Sequence, residues 1–455
     1  MSFLRKLCGK SKSRRVVVIG LDGTPYTFFR KAMAEGHMPN LARLVEEGSF
    51  RRINSVYPTV SSVAWSSFMT GRNPGQHNIY GFIDRQPGTY KTYIPTSRAM
   101  KTDTLWEILS RAGKKVIVVN VPVTYPPRPV NGILVGGFLS PNVDKATYPP
   151  EKAALLKRLG YIVDADPWAA RQSKDKALAE VNAALDARAK TLFHLMDNEP
   201  WDFFQMHVME TDRLYHFLWE QMEANDPLYA PRFMAFIHKI DDMLGQIRAK
   251  LDDRTTLIML SDHGFCTIKK EVYVNYWLEQ QGWLEFEDGV PRDKRKLEHL
   301  AAGAQAYSLV PGRVFIHLRG REPRGNVAPG AGYEALRAEI AAAALELTDP
   351  DTGERMIQKV LKREEIYSGP HSEQAADLVL VSFDGYDLKG NLGKDTLTFK
   401  GKELVGMHTY DDAALYVQGR QLRESPIWVA DPMPTILALM DVPIPADLDG
   451  QNLLR

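Results

Sequence analysis

Four short stretches of this chain carry side chains able to do chemistry. Asp212 and His216 are four residues apart. On a helix, positions i and i+4 share a face, so a carboxylate and an imidazole there can hold one divalent ion. An Asp–His surface pair is the simpler alternative. Asp262 and His263 are adjacent and followed by Gly264, which supplies the turn that adjacent ligands need. Asp22 closes an apolar run, where an N-cap is the other reading, and His408 sits in the run 405–409. Aspartate and histidine without cysteine suit two Zn²⁺ ions, with Mn²⁺ as the second choice. Two such ions about 3.5–4 Å apart clamp the oxygens of an in-line displacement at phosphorus. The numbers divide evenly: Asp212, His216 and His408 for one ion, Asp22, Asp262 and His263 for the other. Ser61 offers a nucleophile, since a metal ion can activate a hydroxyl without a histidine base. A simple N-cap role for Ser61 or Ser62 is the competing reading.

These residues need a scaffold, and the pattern predicts one. The β-branched run 16–20 reads as a buried strand ending at Asp22. Similar runs at 203–209 and 255–260 end at Asp212 and Asp262. In open α/β sheets the carboxyl ends of the strands hold the site. Pro58 disfavours helix just before it, so a helix is predicted from Ser61 to a stop at Gly71. Its N-terminus would add a positive field for a phosphoryl group. Further helices are predicted at 28–35, 39–47, 104–112, 152–159, 175–195 and 231–251, with strands at 115–120 and 413–417. The stretch 266–400 differs, alternating charge, glycine and short strands around an alanine-rich helix at 332–347. The expected division is a basic arm (1–15), a core (16–265), an inserted cap (266–400) and a return to the core (401–455).

Composition narrows the class. The chain has 455 residues, with 57 Lys+Arg against 56 Asp+Glu, 44% hydrophobic and 25% charged residues. That is ordinary globular composition, neither fibrous nor disordered. A balanced charge argues against a stable nucleic-acid complex. Two cysteines, Cys8 and Cys266, make neither a disulfide framework nor a four-cysteine zinc site. No run approaches the roughly 18 apolar residues of a membrane span. The basic start could touch acidic lipid weakly. A cytoplasmic location is expected, and the oligomeric state stays open.

Taken together, the motifs resemble the alkaline phosphatase superfamily, in its type I phosphodiesterase/nucleotide pyrophosphatase branch. The matching pieces are 18–23, 38–44, 57–71, 73–77, 212–216, 261–264, 406–408 and 431–439, in the family's order. The resemblance implies a three-layer α/β/α core around a mostly parallel sheet, with an inserted α+β cap. It places the metal-bound nucleophile on Ser61 and the six ligands on Asp22, Asp212, His216, Asp262, His263 and His408. It implies hydrolysis of a small-molecule phosphoric ester through a phosphorylated Ser61. A phosphomonoesterase and a phosphoglycerate-mutase-like phosphotransferase are the alternatives on the same site. A sulfatase is disfavoured, because the run after Ser61 lacks the Pro and Arg of that relative's motif. The pyrophosphatases' substrate-contacting Asn falls here on Phe82. Asn78, His77, Arg72 and His371 are therefore the candidate substrate contacts. Arg85, Lys269 and Lys270 are lesser ones, and Cys266 ranks below the Asp/His set as a ligand.

Overall fold

The structure is a computed structural model and describes residues 14–455. The predicted basic arm therefore falls almost wholly outside the described residues, and Arg15 already belongs to the first strand.

That strand, Arg15–Leu21, sets the architecture. Successive side chains on a strand point to opposite faces. Val17, Ile19 and Leu21 enter one hydrophobic cluster, and Val16 and Val18 enter another. The first cluster is covered by helices Tyr26–Ala34, Pro39–Glu46, Lys174–Asn198, Glu210–Glu223 and Ala230–Lys250. The second is covered by Ser61–Thr70, Leu105–Arg111 and Pro432–Leu439. Two apolar faces, each roofed by helices, make the three α/β/α layers.

The sheet has eight strands. Their spatial order is Gly48–Ile53, Ala413–Gln418, Thr255–Leu260, Arg15–Leu21, Phe203–Val208, Val116–Val119, Gly132–Val135 and Thr147–Tyr148. The central strands, from Thr255–Leu260 to Gly132–Val135, pair in parallel. Antiparallel pairings lie toward both edges. The edge strands Gly48–Ile53 and Thr147–Tyr148, and the parallel strand Gly132–Val135, add to what the periodicity predicted. Arg15–Leu21 sits between Thr255–Leu260 and Phe203–Val208. Their parallel register brings the chain after all three to one edge of the sheet, which is where Asp22, Asp212 and Asp262 stand.

The excursion that follows Asp262 begins and ends in a two-stranded ribbon. Gly264–Thr267 pairs antiparallel with Gly406–Thr409, placing Phe265 opposite His408. Between these strands lies a four-stranded antiparallel sheet, built from Ala306–Leu309, Arg313–Ile316, Leu378–Ser382 and Ile357–Lys362. Helix Ala331–Leu345 packs on it through Leu336 and Ile340, in a hydrophobic core of its own with Trp277, Phe315 and Leu378. This α+β cap leans over the sheet edge. The Tyr367 hydroxyl donates to the Tyr57 carbonyl at 2.8 Å. Lys359 Nζ stands 4.8 Å above the Tyr57 ring, which stacks on Tyr410 at 4.0 Å.

Candidate active site

Asp22 is buried directly after the first strand, and its two oxygens have different company. Oδ2 accepts from the Trp65 indole at 3.0 Å and lies 3.0 Å from His207 Nε2. Oδ1 accepts from the Ser61 hydroxyl at 3.1 Å. Trp65 reaches Asp22 because position 20 is glycine: a Cβ there would come within 3.1 Å of the indole Cζ2. Gly23 follows in the left-handed region at φ 69°, and its amide donates to Asp262 Oδ1 at 3.1 Å. The backbone turn thus ties two of the predicted ligands together.

Ser61 is the first residue of helix Ser61–Thr70, and the N-cap is Val60, which makes no side-chain cap. The Ser61 hydroxyl points away from its own helix. It lies 3.1 Å from Asp22 Oδ1 and 3.2 Å from His263 Nε2. Ser62 is turned elsewhere and donates to the Gly81 carbonyl at 2.9 Å.

The structure brings all six predicted ligands to this edge of the sheet. Asp212 and His216 do share a face of helix Glu210–Glu223. Asp212 Oδ1 lies 3.4 Å from His216 Nε2 and 3.2 Å from His408 Nε2. Ligand atoms of Asp22, Asp262 and His263 converge within 4.8 Å. His263 is also within 4.8 Å of Asp212 and His408, so the two clusters adjoin.

The imidazoles are oriented for a cation. Nδ1 of His216 meets the Gly406 carbonyl at 2.8 Å, Nδ1 of His263 the Gly264 carbonyl at 3.0 Å, and Nδ1 of His408 the Thr59 carbonyl at 3.0 Å. A carbonyl only accepts, so each Nδ1 carries the proton and each Nε2 presents a lone pair. Two of those lone pairs, on His216 and His408, face each other at 3.2 Å. Such a contact is repulsive unless a positive charge joins it. Asp212 Oδ1 and Asp262 Oδ2 are buried without a hydrogen-bond donor, which points the same way.

The carboxylates respond to this crowding. Burial pushes Asp22 up, but its contacts with His207 and His263 outweigh it and hold the group well below its usual range. Burial likewise opposes ionisation of Asp212, and His216 and His408 overcome it. Asp262 is driven well above the usual range by burial and by the Asp22 charge. Three buried carboxyls this close need positive charge to stay ionised together, and divalent ions supply it. The residues present therefore fit divalent metal.

Above them opens a cleft of about 1120 Å³ between sheet edge and cap. Ser61, Asp212, His216 and His408 line its floor, with Phe82, Arg213, Lys269, Lys359 and Tyr410 among its walls.

The four predicted substrate contacts are not among the cleft residues, and each is engaged elsewhere. Arg72 donates to the Asp447 carbonyl at 2.6 Å and pairs with its carboxylate at 2.9 Å. Asn78 donates to the Ala99 carbonyl at 3.2 Å and takes φ 68° at the end of a short helix. His371 is held by its backbone, its amide donating to the Gly75 carbonyl at 2.9 Å. His77 is 0% exposed, 3.0 Å from the Ser67 hydroxyl, and accepts from the Ile79 amide at 3.2 Å. The reason is geometric. A ten-residue helix is about 15 Å long, so Arg72, His77 and Asn78, just beyond the end of Ser61–Thr70, are carried away from the Ser61 hydroxyl, and the chain returns to the cleft only at Gly81 and Phe82. Of the lesser candidates, Arg85 is buried against Glu322 at 3.5 Å, and Lys270 pairs with Asp349 at 2.7 Å. Lys269 does line the cleft. Cys266 sits on the ribbon, outside both ligand clusters, with its thiol pushed up to about 12 by burial.

His77 has a consequence of its own. Burial lowers its pKa from 6.5 to about 3. The unfolded chain then binds a proton that the folded one refuses. Stability from this group is complete above pH 6.5 and is lost as pH falls toward 3. Wild-type protein should lose about 1.4 kcal/mol per pH unit in that window relative to His77→Gln. Urea unfolding of both proteins at pH 7 and pH 5 measures the difference.

Sequence reasoning missed His207 and Trp65. Both lie in apolar runs, and nothing local to either reveals that Asp22 is their partner. It also missed Arg188, which lies on helix Lys174–Asn198 and is 0% exposed. Arg188 Nε donates to both Glu210 oxygens at 2.9 and 3.0 Å, anchoring the helix that carries Asp212 and His216.

Acid and imidazole clusters beside a helix-borne serine, at the carboxyl edge of a three-layer α/β sheet, are the build of a hydrolytic enzyme. The chain belongs to the type I phosphodiesterase/nucleotide pyrophosphatase family, whose sequence model matches residues 16–411. Its fold is shared with phosphonoacetate hydrolase from Sinorhizobium meliloti 1021, solved with phosphonoacetate. That likeness has 19% identity and a TM-score of 0.62, covering 92% of this chain and 94% of the other. It is similar too to murine ectonucleotide pyrophosphatase/phosphodiesterase 5, solved in an inactive form with AMP. There identity is 16% and TM-score 0.58, over 97% of this chain and 100% of that one. No curated protein sequence matches the chain significantly. Among the described residues, no helix is long and apolar enough to cross a membrane.

Proposed function

We propose that the protein hydrolyses phosphoric esters, phosphodiesters foremost, with Ser61 as the nucleophile. The observation that carries this is the Ser61 hydroxyl, 3.1 Å from Asp22 and 3.2 Å from His263 beside two ligand clusters. Asp212, His216 and His408 would hold one divalent ion, and Asp22, Asp262, His263 and the Ser61 oxygen the other. Ions there, Zn²⁺ foremost or Mn²⁺, would polarise phosphoryl oxygens and favour the serine alkoxide. Ser61 Oγ attacks phosphorus, and the bond to the leaving oxygen breaks as a phosphorylated Ser61 forms. Water then attacks the same phosphorus, and Ser61 Oγ leaves and regains its proton. Two in-line displacements give net retention. The N-terminus of helix Ser61–Thr70 would add a positive field for the transferred group.

A panel of phosphate monoesters, diesters and pyrophosphates tests this reading. Protein stripped by chelator and reloaded with Zn²⁺ or Mn²⁺ should turn over diesters fastest, and the stripped protein should be inactive. Turnover that survives chelation, or phosphoryl transfer to an alcohol in preference to water, would overturn it.

A further inference from the structure

Phe82 lines the cleft above Ser61, and its surroundings are largely apolar. Its ring stacks on Phe138, with centroids 5.9 Å apart and planes at 13°. The Arg213 guanidinium lies 5.4 Å from the Phe138 ring and steadies it. Both phenylalanines line the cleft above Ser61, and both also line a second cavity of about 190 Å³. The pair, with Ser62, is thus shared by the two adjoining spaces.

The second cavity is walled further by Ile94, Val123, Tyr125 and Leu139, with the hydroxyl residues Ser62 and Thr96 beside them, and no charged side chain lines it. Ile94 and Leu139 remain 43% and 47% exposed, so its rim is apolar too. Val123 and Leu139 adopt φ 62° and 69°, a region that β-branched and bulky residues rarely enter. Backbone strain of this kind gathers at functional sites. A sugar, carboxylate or second phosphate would lose hydration here and gain no charged partner. An apolar cavity of roughly 150 Å³ is enough to hold benzene.

We propose that this cavity seats the organic group of the phosphoric ester, and that the group is apolar: a short alkyl chain or one aromatic ring, lying against the Phe82–Phe138 pair. The proposal rests on the ester-hydrolase reading of Ser61 and adds its substrate class. It makes Phe82, Phe138 and Leu139 specificity-determining residues.

Alkylphosphonates from methyl to hexyl, with phenylphosphonate, are suitable probes, because they carry the organic group without the ester bond. Calorimetry on the zinc-loaded protein gives their affinities independently of turnover. Affinity should rise about fourfold per methylene and level off once the cavity is full. Leu139→Asn suits the left-handed backbone at that position and makes the rim polar. Phe82→Asn removes half of the apolar pair against which the group would lie. In both variants the rise per methylene should fall below about twofold, given how much of each methylene's burial is lost. A flat series in the wild-type protein overturns the proposal, and so does a series unchanged in both variants. Full ester hydrolysis by Ser61→Ala would instead overturn the reading of the site on which the proposal rests.

Discussion

Ser61→Ala should lower kcat for a phosphodiester by at least about a thousandfold while leaving zinc content per chain unchanged. The loss should be this large because no neighbouring hydroxyl can take over. Ser62 is committed to the Gly81 carbonyl at 2.9 Å, and Thr59 to the Val56 carbonyl at 3.1 Å. Asp22, Asp262 and His263 keep their positions in the variant, since Trp65, His207 and the Gly23 amide hold the carboxylates without Ser61. Metal analysis beside steady-state kinetics separates a lost nucleophile from a lost centre. An alanine variant that hydrolyses at the wild-type rate would remove Ser61 from the chemistry.

Arg188→Met should destabilise the protein by about 3–5 kcal/mol. Arg188 and Glu210 are both 0% exposed, and the guanidinium also donates to the Tyr161 hydroxyl at 3.0 Å and to the Val163 carbonyl at 3.2 Å. Removing it leaves the Glu210 carboxylate charged, buried and unpaired, which costs more than the pair's own attraction. Adding Glu210→Gln to Arg188→Met should recover part of the loss, because the orphaned charge is gone. Urea unfolding of the wild type, both single variants and the double variant measures the coupling. Glu210 opens the helix that carries Asp212 and His216, so Arg188→Met should also weaken zinc binding.

The parts of the site that could be read from the chain are those with local signatures. An acid after a β-branched run marks a strand end, and the parallel pairing of Arg15–Leu21 with both neighbours makes three such ends one edge. Asp212 and His216 lie within one helical turn of each other, so their spacing alone is informative. Ser61 was readable because Pro58 fixes where the helix can begin. His207 and Trp65 were not readable, because an inward polar side chain in an apolar strand or helix looks like core until its partner is known. Strand Gly48–Ile53 was hidden for a different reason: half-buried and carrying Arg51 and Arg52, it pairs only with Ala413–Gln418. An edge strand with one neighbour has no need of a continuous apolar run. Nearness in sequence misled for Arg72, His77 and Asn78, since the helix after Ser61 carries the chain away from its hydroxyl.

The pairing of Gly264–Thr267 with Gly406–Thr409 has an evolutionary consequence. Thr267 and Gly406 face each other in that register, so the chain leaves for the cap and comes back at neighbouring points. Antiparallel partners stand about 5 Å apart, near enough for a two-residue turn to close. Whatever is spliced in at this doorway, long or short, leaves His263 and His408 in place. Lineages can therefore lengthen, shorten or replace the inserted cap while the ribbon keeps His263 and His408 stacked with ring centroids 3.7 Å apart.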